Sequence, residues 1–274
     1  MSLIVSLRIP DGIVIAADSM STSHTILKLV APDIGITCPN CNKKITEQEL
    51  RVPPIFVPFS ASSYTQKLFS LYNKYAISSF GEGIINNRSI YFHVKHFENI
   101  DSMPKDLEDI KNKFINYLEN ELIVQYPKYK TEAPKEWHPI GFHINGYEYI
   151  DNKPSGVTYE IFIGRENIIH RRDIIGCTIG GDTKVVMKLW EIGKADQRLI
   201  FKYRLFSLQD AVDLSEFLIN TTSTFQRFAN EVQTVGGEVD IALLHPISGF
   251  QWIKRKKLME TLEGRNKNES EYKS

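Results

Sequence analysis

Two short apolar segments stand at the start of the chain. Residues 3–7 and 13–17 are largely apolar, and the turn sequence Pro10-Asp11-Gly12 lies between them. Apolar runs of this length bounded by turn residues predict buried strands. Because chain termini are usually frayed, a strand pair that begins almost at the first residue indicates that the N-terminus is held in a sheet.

Helix and strand patterns alternate along the rest of the chain. Apolar residues at three- and four-residue steps predict helices at 82–97, after Pro104, after Asp182 and after Ser207, where Ser207 and Asp210 have the spacing of a capping box. Segments bounded by turn residues predict strands at 140–144, 159–164, 167–174, 239–244 and 249–253. These elements suit an α+β fold in which helices cover two antiparallel sheets.

The composition restricts the partners and the compartment. The 274 residues include 33 Lys and Arg against 33 Asp and Glu, so charge favours neither a nucleic acid nor an anionic membrane as partner. The N-terminal apolar run is too short for a membrane span and lacks the pattern of a secretory signal. The 3 cysteines are too few for a disulfide framework. We therefore expect a cytoplasmic protein with no nucleic-acid or membrane partner.

Ser2 is the first candidate catalytic residue. A residue this small in second place normally permits removal of Met1, which would leave Ser2 with both a hydroxyl and a free α-amine. An α-amine titrates at about pH 7.7–8.0, so part of it is unprotonated at neutral pH and can act as general base for the hydroxyl beside it. One residue would then supply nucleophile and base.

This opening resembles that of proteasome β-subunits and their bacterial relatives, which are N-terminal-nucleophile (Ntn) hydrolases whose nucleophile is usually threonine. The resemblance rests on Ser2, on the run DGIVIAADS at 11–19 with Asp18 sixteen residues after Ser2, and on Lys67 with Gly81 fourteen residues later. It implies a four-layer αββα sandwich, the Ntn-hydrolase fold. It also implies a homo-oligomer of one ring or stacked rings that acts on polypeptide or peptide substrates.

The resemblance also implies a role for each of these residues. Ser2 would be the nucleophile of a serine peptidase or amidase with an acyl-enzyme intermediate. Asp18 would support Lys67, whose ammonium lowers the pKa of the α-amine. The N–H of Gly81 would stabilise the oxyanion. This chemistry requires no cofactor, and neither the substrate nor an activating ATPase is identified by the resemblance.

Two turns depart from the family's pattern. The family has a serine in a Gly-Ser-Gly turn and an Asp-x-x-Ser-Gly-Gly run, whereas the matching turns here, 179–182 and 231–237, lack that serine. In the second turn, Glu231 and Thr234 keep the spacing between acid and hydroxyl. These departures leave a catalytically inactive ring subunit as the alternative function, and a small-amide acylase on the same fold as another.

Two histidines are candidate residues of a different type of hydrolase. His143 and His170 alternate with apolar strand residues. The chain has no Gly-x-Ser-x-Gly sequence that would support a Ser-His-Asp triad. Both residues are therefore interpreted as satisfied or surface histidines.

The domain prediction is one Ntn-hydrolase domain over 2–254, with an inserted segment at about 20–63 and a polar, flexible tail at 255–274. Inside the insertion, Cys38 and Cys41 have the Cys-x-x-Cys spacing of half a zinc knuckle. This pair predicts a structural zinc site, with a solvated turn carrying two free thiols as the alternative. Cys177 lies in an apolar context that predicts a buried strand, which does not favour it as a third ligand.

Overall fold

The structure is a computed structural model that describes residues 2–27, 37, 40–43, 55–100, 103–230 and 232–256. The chain divides into two compact units, one comprising Met1–Ser21 and Ser63–Ser274 and the other Thr22–Ser62. The predicted zinc ligand Cys38 and most of the predicted tail lie outside the described residues.

The elements of the described chain are as follows. The strands are β1 (Leu3–Ile9), β2 (Gly12–Ala17), β3 (Ser21–Leu27), β4 (Ile55–Ser62), β5 (Leu68–Leu71), β6 (Tyr75–Gly81), β7 (Ile84–Ile85), β8 (Arg88–Ser89), β9 (Ile140–Ile150), β10 (Lys153–Ile163), β11 (Ile168–Arg172), β12 (Gly176–Gly181), β13 (Asp240–His245) and β14 (Gly249–Lys254). The helices are α1 (Ile90–Ile100), α2 (Leu107–Gln125), α3 (Tyr129–Glu132), α4 (Lys184–Ala195) and α5 (Leu208–Phe228), with 3-10 turns at Gln197–Leu199 and Tyr203–Leu205.

Two antiparallel sheets form the larger unit. The first sheet has the strand order β12-β1-β2-β13-β14, and the second has the order β11-β10-β9-β6-β5. In the first sheet β1 lies between β2 and β12, with Ile4 opposite Ala17 and Leu3 opposite Gly181. The N-terminal strand is thus paired on both sides, as its apolar pattern predicts.

Helices cover the outer face of each sheet. Phe97 of α1 and Phe114 of α2 pack with Phe142 on the second sheet, whereas Val186 of α4 and Leu218 of α5 belong to the core on the first sheet. A third core, which includes Ile4, Ile15, Phe80 and Leu244, lies between the sheets. The four-layer αββα sandwich is confirmed, and every residue of β1 is buried because both faces of the strand are covered.

The capping box at the start of α5 is also confirmed. The Oγ of Ser207 accepts a hydrogen bond from the Asp210 N–H at 3.2 Å, and the Asp210 carboxylate accepts from the Ser207 N–H at 2.8 Å. Each side chain satisfies one backbone N–H that the helix leaves without a partner.

The predicted helix at 82–97 is wrong in its first half, because the helix begins only at Ile90. The preceding residues form the short hairpin of β7 and β8. Its turn residues Asn86 and Asn87 have φ of 47° and 58°. Asparagine adopts this left-handed conformation more readily than most residues, and two such residues in succession make a tight hairpin turn.

The described chain continues for two residues beyond the predicted domain end at residue 254. Lys256 is only 3% exposed, and its Nζ donates to the Asp240 carboxylate and, at 2.8 Å, to Ser19 Oγ. The basic sequence around it predicts a solvated end, but Asp240 and Ser19 provide buried partners from distant parts of the chain. Residues 257–274 lie outside the described residues.

The smaller unit contains the two-stranded sheet of β3 and β4. Cys41 is exposed. Among the residues that the structure describes, no group of three His, Cys, Asp or Glu side chains is placed to hold a metal ion. Because Cys38 is not among those residues, zinc binding by Cys38 and Cys41 stays a prediction.

Candidate active site

Ser2 directly precedes β1 and is 3% exposed. Its carbonyl oxygen accepts a hydrogen bond from the N–H of Asp182 at 2.6 Å. Since Leu3 lies opposite Gly181, this bond continues the ladder between β1 and β12 by one residue. The backbone of Ser2 is therefore fixed by the sheet.

The Asp18 carboxylate is fully buried and accepts hydrogen bonds from four donors. Its Oδ1 accepts from the Leu3 N–H at 3.0 Å and from Lys67 Nζ at 2.8 Å. Its Oδ2 accepts from the N–H groups of Met20 and Gly236, both at 3.1 Å. Asp18 thus joins the N-terminal strand, Lys67 and the Gly-Gly turn at 236–237.

Lys67 lies immediately before β5 and is 4% exposed. Besides Asp18, its Nζ contacts the carbonyl oxygen of Met20. Burial lowers the pKa of Lys67, and the charge of Asp18 opposes this effect. The structure therefore brings Asp18 and Lys67 together beside the residue that follows Ser2.

Gly81 ends β6 with φ of +93°, and a Cβ at this position would lie 2.3 Å from the Pro139 carbonyl oxygen. Backbone conformation and space both require glycine here. A Cβ built on Gly181 would lie 1.9 Å from the Ser2 oxygen and 3.3 Å from Phe80 Cβ. The strand end that carries Gly81 therefore comes close to Ser2.

Asp182 is a site residue that sequence reasoning did not identify as functional. It is 6% exposed, and its Oδ2 accepts from Thr234 Oγ1 at 2.8 Å and from Gln226 Nε2 at 3.0 Å. Its Oδ1 is buried and has no hydrogen-bond partner among the described residues. A buried carboxylate oxygen without a partner is costly, so Asp182 Oδ1 is expected to serve a donor.

The sequence offers little signal for this arrangement. Asp182 follows a glycine pair and has the pattern of a helix start, while the local spacing relates Thr234 to Glu231. Glu231 lies outside the described residues. The contact between Asp182 and Thr234 joins positions that are 52 residues apart, which no local pattern reveals.

The turn at 180–181 has no room for a side chain. A Cβ on Gly180 would lie 2.5 Å from Phe80 Cε1. Gly181 has φ of +93° and faces the Ser2 carbonyl. A side chain at either position would displace Phe80 or Ser2.

Ser19 connects the Asp18 network to a second buried ion pair. Its N–H donates to the Gly236 carbonyl at 3.0 Å, and its Oγ donates to the Glu238 carbonyl. The same Oγ accepts from Lys256, which is paired with Asp240. The end of the described chain is thus tied to the turn that follows Asp18.

The two histidines occupy different environments. His143 is fully buried, with its Nδ1 3.0 Å from Ser6 Oγ, and burial lowers its pKa to about 3. His170 is exposed on β11. Neither residue contributes to the hydrogen bonds of Asp18, Lys67 or Asp182 described above.

Comparisons with known proteins bear on the fold. No protein-family model matches the chain, and the search of curated proteins returns no match. A solved structure of a Gly-1 mutant of Anbu from Hyphomicrobium sp. strain MC1 is similar, with a TM-score of 0.55 and 11% identity, covering 99% of this chain and 96% of that chain. Anbu from Pseudomonas aeruginosa, solved as a helical assembly, gives a TM-score of 0.54 and 11% identity, covering 98% and 94%.

Anbu from Yersinia bercovieri, described as an ancestral β-subunit, is 12% identical with a TM-score of 0.49, covering 98% of this chain and 94% of that chain. In the described part of the chain, no helix is long and apolar enough to cross a membrane. Anbu is a proteasome-like bacterial protein, so the comparisons with the Hyphomicrobium and Pseudomonas structures support one conclusion. The chain has a proteasome-like sandwich fold.

Proposed function

We propose that this chain is an N-terminal serine peptidase or amidase of the proteasome-like class. The observation that carries the proposal is the position of the Asp18 carboxylate, which binds Lys67 Nζ and the N–H of the residue after Ser2 with the same oxygen. Burying the Lys67 ammonium and the Asp18 carboxylate costs desolvation free energy even though the two are paired. Their position beside the residue that follows Ser2 favours a role in activating Ser2.

The reaction begins once Met1 has been removed. The Ser2 Oγ attacks the substrate carbonyl carbon while the α-amine of Ser2 takes the hydroxyl proton, directly or through a water molecule. The N–H of Gly81 donates to the oxyanion, a type of contact that lowers the barrier by about 3–4 kcal/mol. The leaving amine departs with the proton, and water then hydrolyses the ester on Ser2.

Lys67 and Asp182 tune the amine in opposite directions. The ammonium of Lys67 disfavours a second positive charge nearby and so lowers the pKa of the α-amine. The unpartnered Asp182 Oδ1 accepts a hydrogen bond from the amine and favours its charged form. Thr234 and Gln226 fix the orientation of this carboxylate. Asp182 thereby supplies the acid that the family carries in its second turn.

A homo-oligomer is part of the proposal. The resemblance favours one ring or stacked rings, and the Anbu of Pseudomonas aeruginosa forms a helical assembly. Polypeptides or peptides are the expected substrates, and zinc at Cys38 and Cys41 would be structural only. Light scattering and negative-stain microscopy of the purified protein distinguish a ring, an open helix and a monomer.

The testing experiment is the intact mass of untagged protein before and after treatment with a β-lactone, followed by fragment mapping. We expect loss of Met1 and one adduct on Ser2. Lys67→Ala should slow labelling by about 100-fold or more, since it removes the charge that keeps the amine unprotonated. Lys74→Ala, at an exposed lysine, is the matched control and should label normally.

A catalytically inactive structural subunit is the second candidate. It is favoured by Phe80, whose ring fills the space that a side chain at Gly180 would need. A retained Met1, or a processed Ser2 that does not react with the lactone, would exclude the peptidase and support this alternative.

A further inference from the structure

A second candidate site, separate from the candidate active site, lies at one edge of the sandwich. There a cavity of about 610 Å³ is bounded by the edge strands β11 and β12 and by the start of α4. The side chain of Arg8 reaches it from β1. None of the residues proposed for catalysis lines this cavity.

Arg8 is a buried cation whose hydrogen-bond partners are all neutral. It is 5% exposed, and its Nε donates to the Ile174 carbonyl at 2.9 Å. Its Nη1 donates to Thr158 Oγ1 at 2.8 Å and to Thr178 Oγ1 at 2.9 Å. Within the described residues, no acceptor contacts Nη2, and no carboxylate lies within ion-pair distance of the guanidinium. A buried charge in this state favours a counter-ion.

Unlike Arg8, the other two arginines of the cavity are paired with carboxylates. Arg171 pairs with Glu148 at 2.7 Å, and Arg172 pairs with Glu160 at 3.2 Å. Asp173, which also lines the cavity, contacts Arg171. Glu148, Glu160 and Asp173 each contact Arg171 or Arg172, so Arg8 is the one arginine of this cavity that contacts no carboxylate.

The N-terminus of α4 contributes to the same cavity. Its cap residue Thr183 lines the cavity and makes no side-chain capping bond, and the first turn of this 12-residue helix contains no acidic residue. The neighbouring Asp182 directs one carboxylate oxygen to Thr234 and Gln226. The positive end of a helix dipole therefore acts together with Arg8 and favours an anion.

The remaining lining determines which anion fits. Ile174, Ile179, Met187 and Trp190 provide apolar walls. Because only one guanidinium of the cavity, that of Arg8, contacts no carboxylate, a single negative charge is matched better than the double charge of a phosphate. Burial raises the pKa of the lining thiol Cys177 to about 12, so this cavity offers no thiolate nucleophile at neutral pH and suits binding rather than catalysis.

We propose that this cavity binds a small organic acid with one carboxylate on an apolar body, the carboxylate on Arg8 Nη2 and the body against Trp190 and Met187. The site is separate from the proposed peptidase function and does not depend on it. It is a place where a metabolite with this chemistry would bind to the edge of the sandwich.

The test is calorimetric titration of the full chain with benzoate, with its neutral isostere benzamide and with inorganic phosphate. We expect saturable binding of benzoate, with benzamide bound about tenfold more weakly or not at all because it lacks the charge that Arg8 matches. Equal binding of benzoate and benzamide, or no binding of benzoate, would overturn the proposal. Binding of phosphate in preference to benzoate would overturn the assigned ligand class.

Substitution at Met187 locates the binding without disturbing the buried arginine. Met187 is 42% exposed, so Met187→Glu and Met187→Gln should both fold. Met187→Glu places a competing carboxylate at the cavity and should weaken benzoate binding about tenfold or more, whereas Met187→Gln, of the same size and uncharged, should change it little. Benzoate binding that is the same in both variants would place the ligand elsewhere and refute the site.

Discussion

The backbone N–H of Asp182 donates to the carbonyl oxygen of Ser2 at 2.6 Å, which anchors Ser2 beside a buried carboxylate. One oxygen of that carboxylate is held by Thr234 and Gln226, and the other has no partner among the described residues. An α-amine released on Ser2 is the donor that the proposed mechanism brings to this oxygen.

Asp182→Asn should change the pH dependence of Ser2 reactivity. A carboxylate near the amine raises its pKa, so the neutral amide should move the midpoint of the rate profile to lower pH. Loss of the orienting contact should also slow lactone labelling by roughly 10- to 100-fold. The measurement is the labelling rate as a function of pH.

Asp213→Asn serves as the control for this prediction, since Asp213 is exposed on α5. Its profile should match that of the unsubstituted protein. An unchanged midpoint in Asp182→Asn would show that this carboxylate does not interact with the amine.

Gly181→Ala should destabilise the fold and disturb Ser2. Gly181 has φ of +93°, and the new Cβ would lie 1.9 Å from the Ser2 oxygen, so the backbone must shift. Left-handed strain alone costs on the order of 1–3 kcal/mol. Urea unfolding measures the loss, and Gly83→Ala is the control because its Cβ would have its nearest contact at 3.7 Å. Equal stability of the two variants would contradict the geometry.

Lys256→Met should cost about 3–5 kcal/mol of unfolding free energy, because it leaves the buried Asp240 carboxylate without its cation. Lys254→Met is the neighbouring control. Lys254 is half-exposed and pairs with Glu216, so its loss should cost about 1 kcal/mol or less. The double variant Lys256→Met with Asp240→Asn should recover part of the stability, and a purely additive loss would argue against a buried pair.

His143 should make the protein sensitive to acid. Its pKa is about 3 in the folded state against 6.5 for a free histidine, so the unfolded chain binds a proton that the folded chain does not. Stability is therefore complete above about pH 6.5 and falls as the pH drops toward 3, by on the order of a few kcal/mol.

Urea unfolding at neutral and acidic pH tests this prediction with His143→Gln and His170→Gln. The first substitution should flatten the acid dependence, whereas the second, at an exposed position, should leave it in place. If both variants keep the full acid sensitivity, carboxylates rather than His143 are responsible for it.

The parts of the site that could be predicted from the sequence are those that local spacing encodes. The two apolar runs place Ser2 before one strand and Asp18 after the next, and an antiparallel pair necessarily brings these two ends together. Lys67 lies before another apolar strand. The capping box of Ser207 and Asp210 is encoded within four consecutive residues. In contrast, the hairpin at Asn86 and Asn87 was encoded locally but was missed because the surrounding apolar residues also fit a helix.

Which distant polar groups come into contact depends on how the sheets and helices pack. Asp182 meets Thr234, Lys256 meets Asp240 and Ser19, and Phe80 fills the space beside Gly180 only after both sheets and α5 have packed. A buried charge or carboxylate is tolerable only where its partners converge, and convergence depends on the register and layering of the whole sandwich. Local sequence patterns thus predict the strand ends that carry Ser2, Asp18 and Lys67, whereas the contacts of Asp182 and Lys256 depend on how the layers pack.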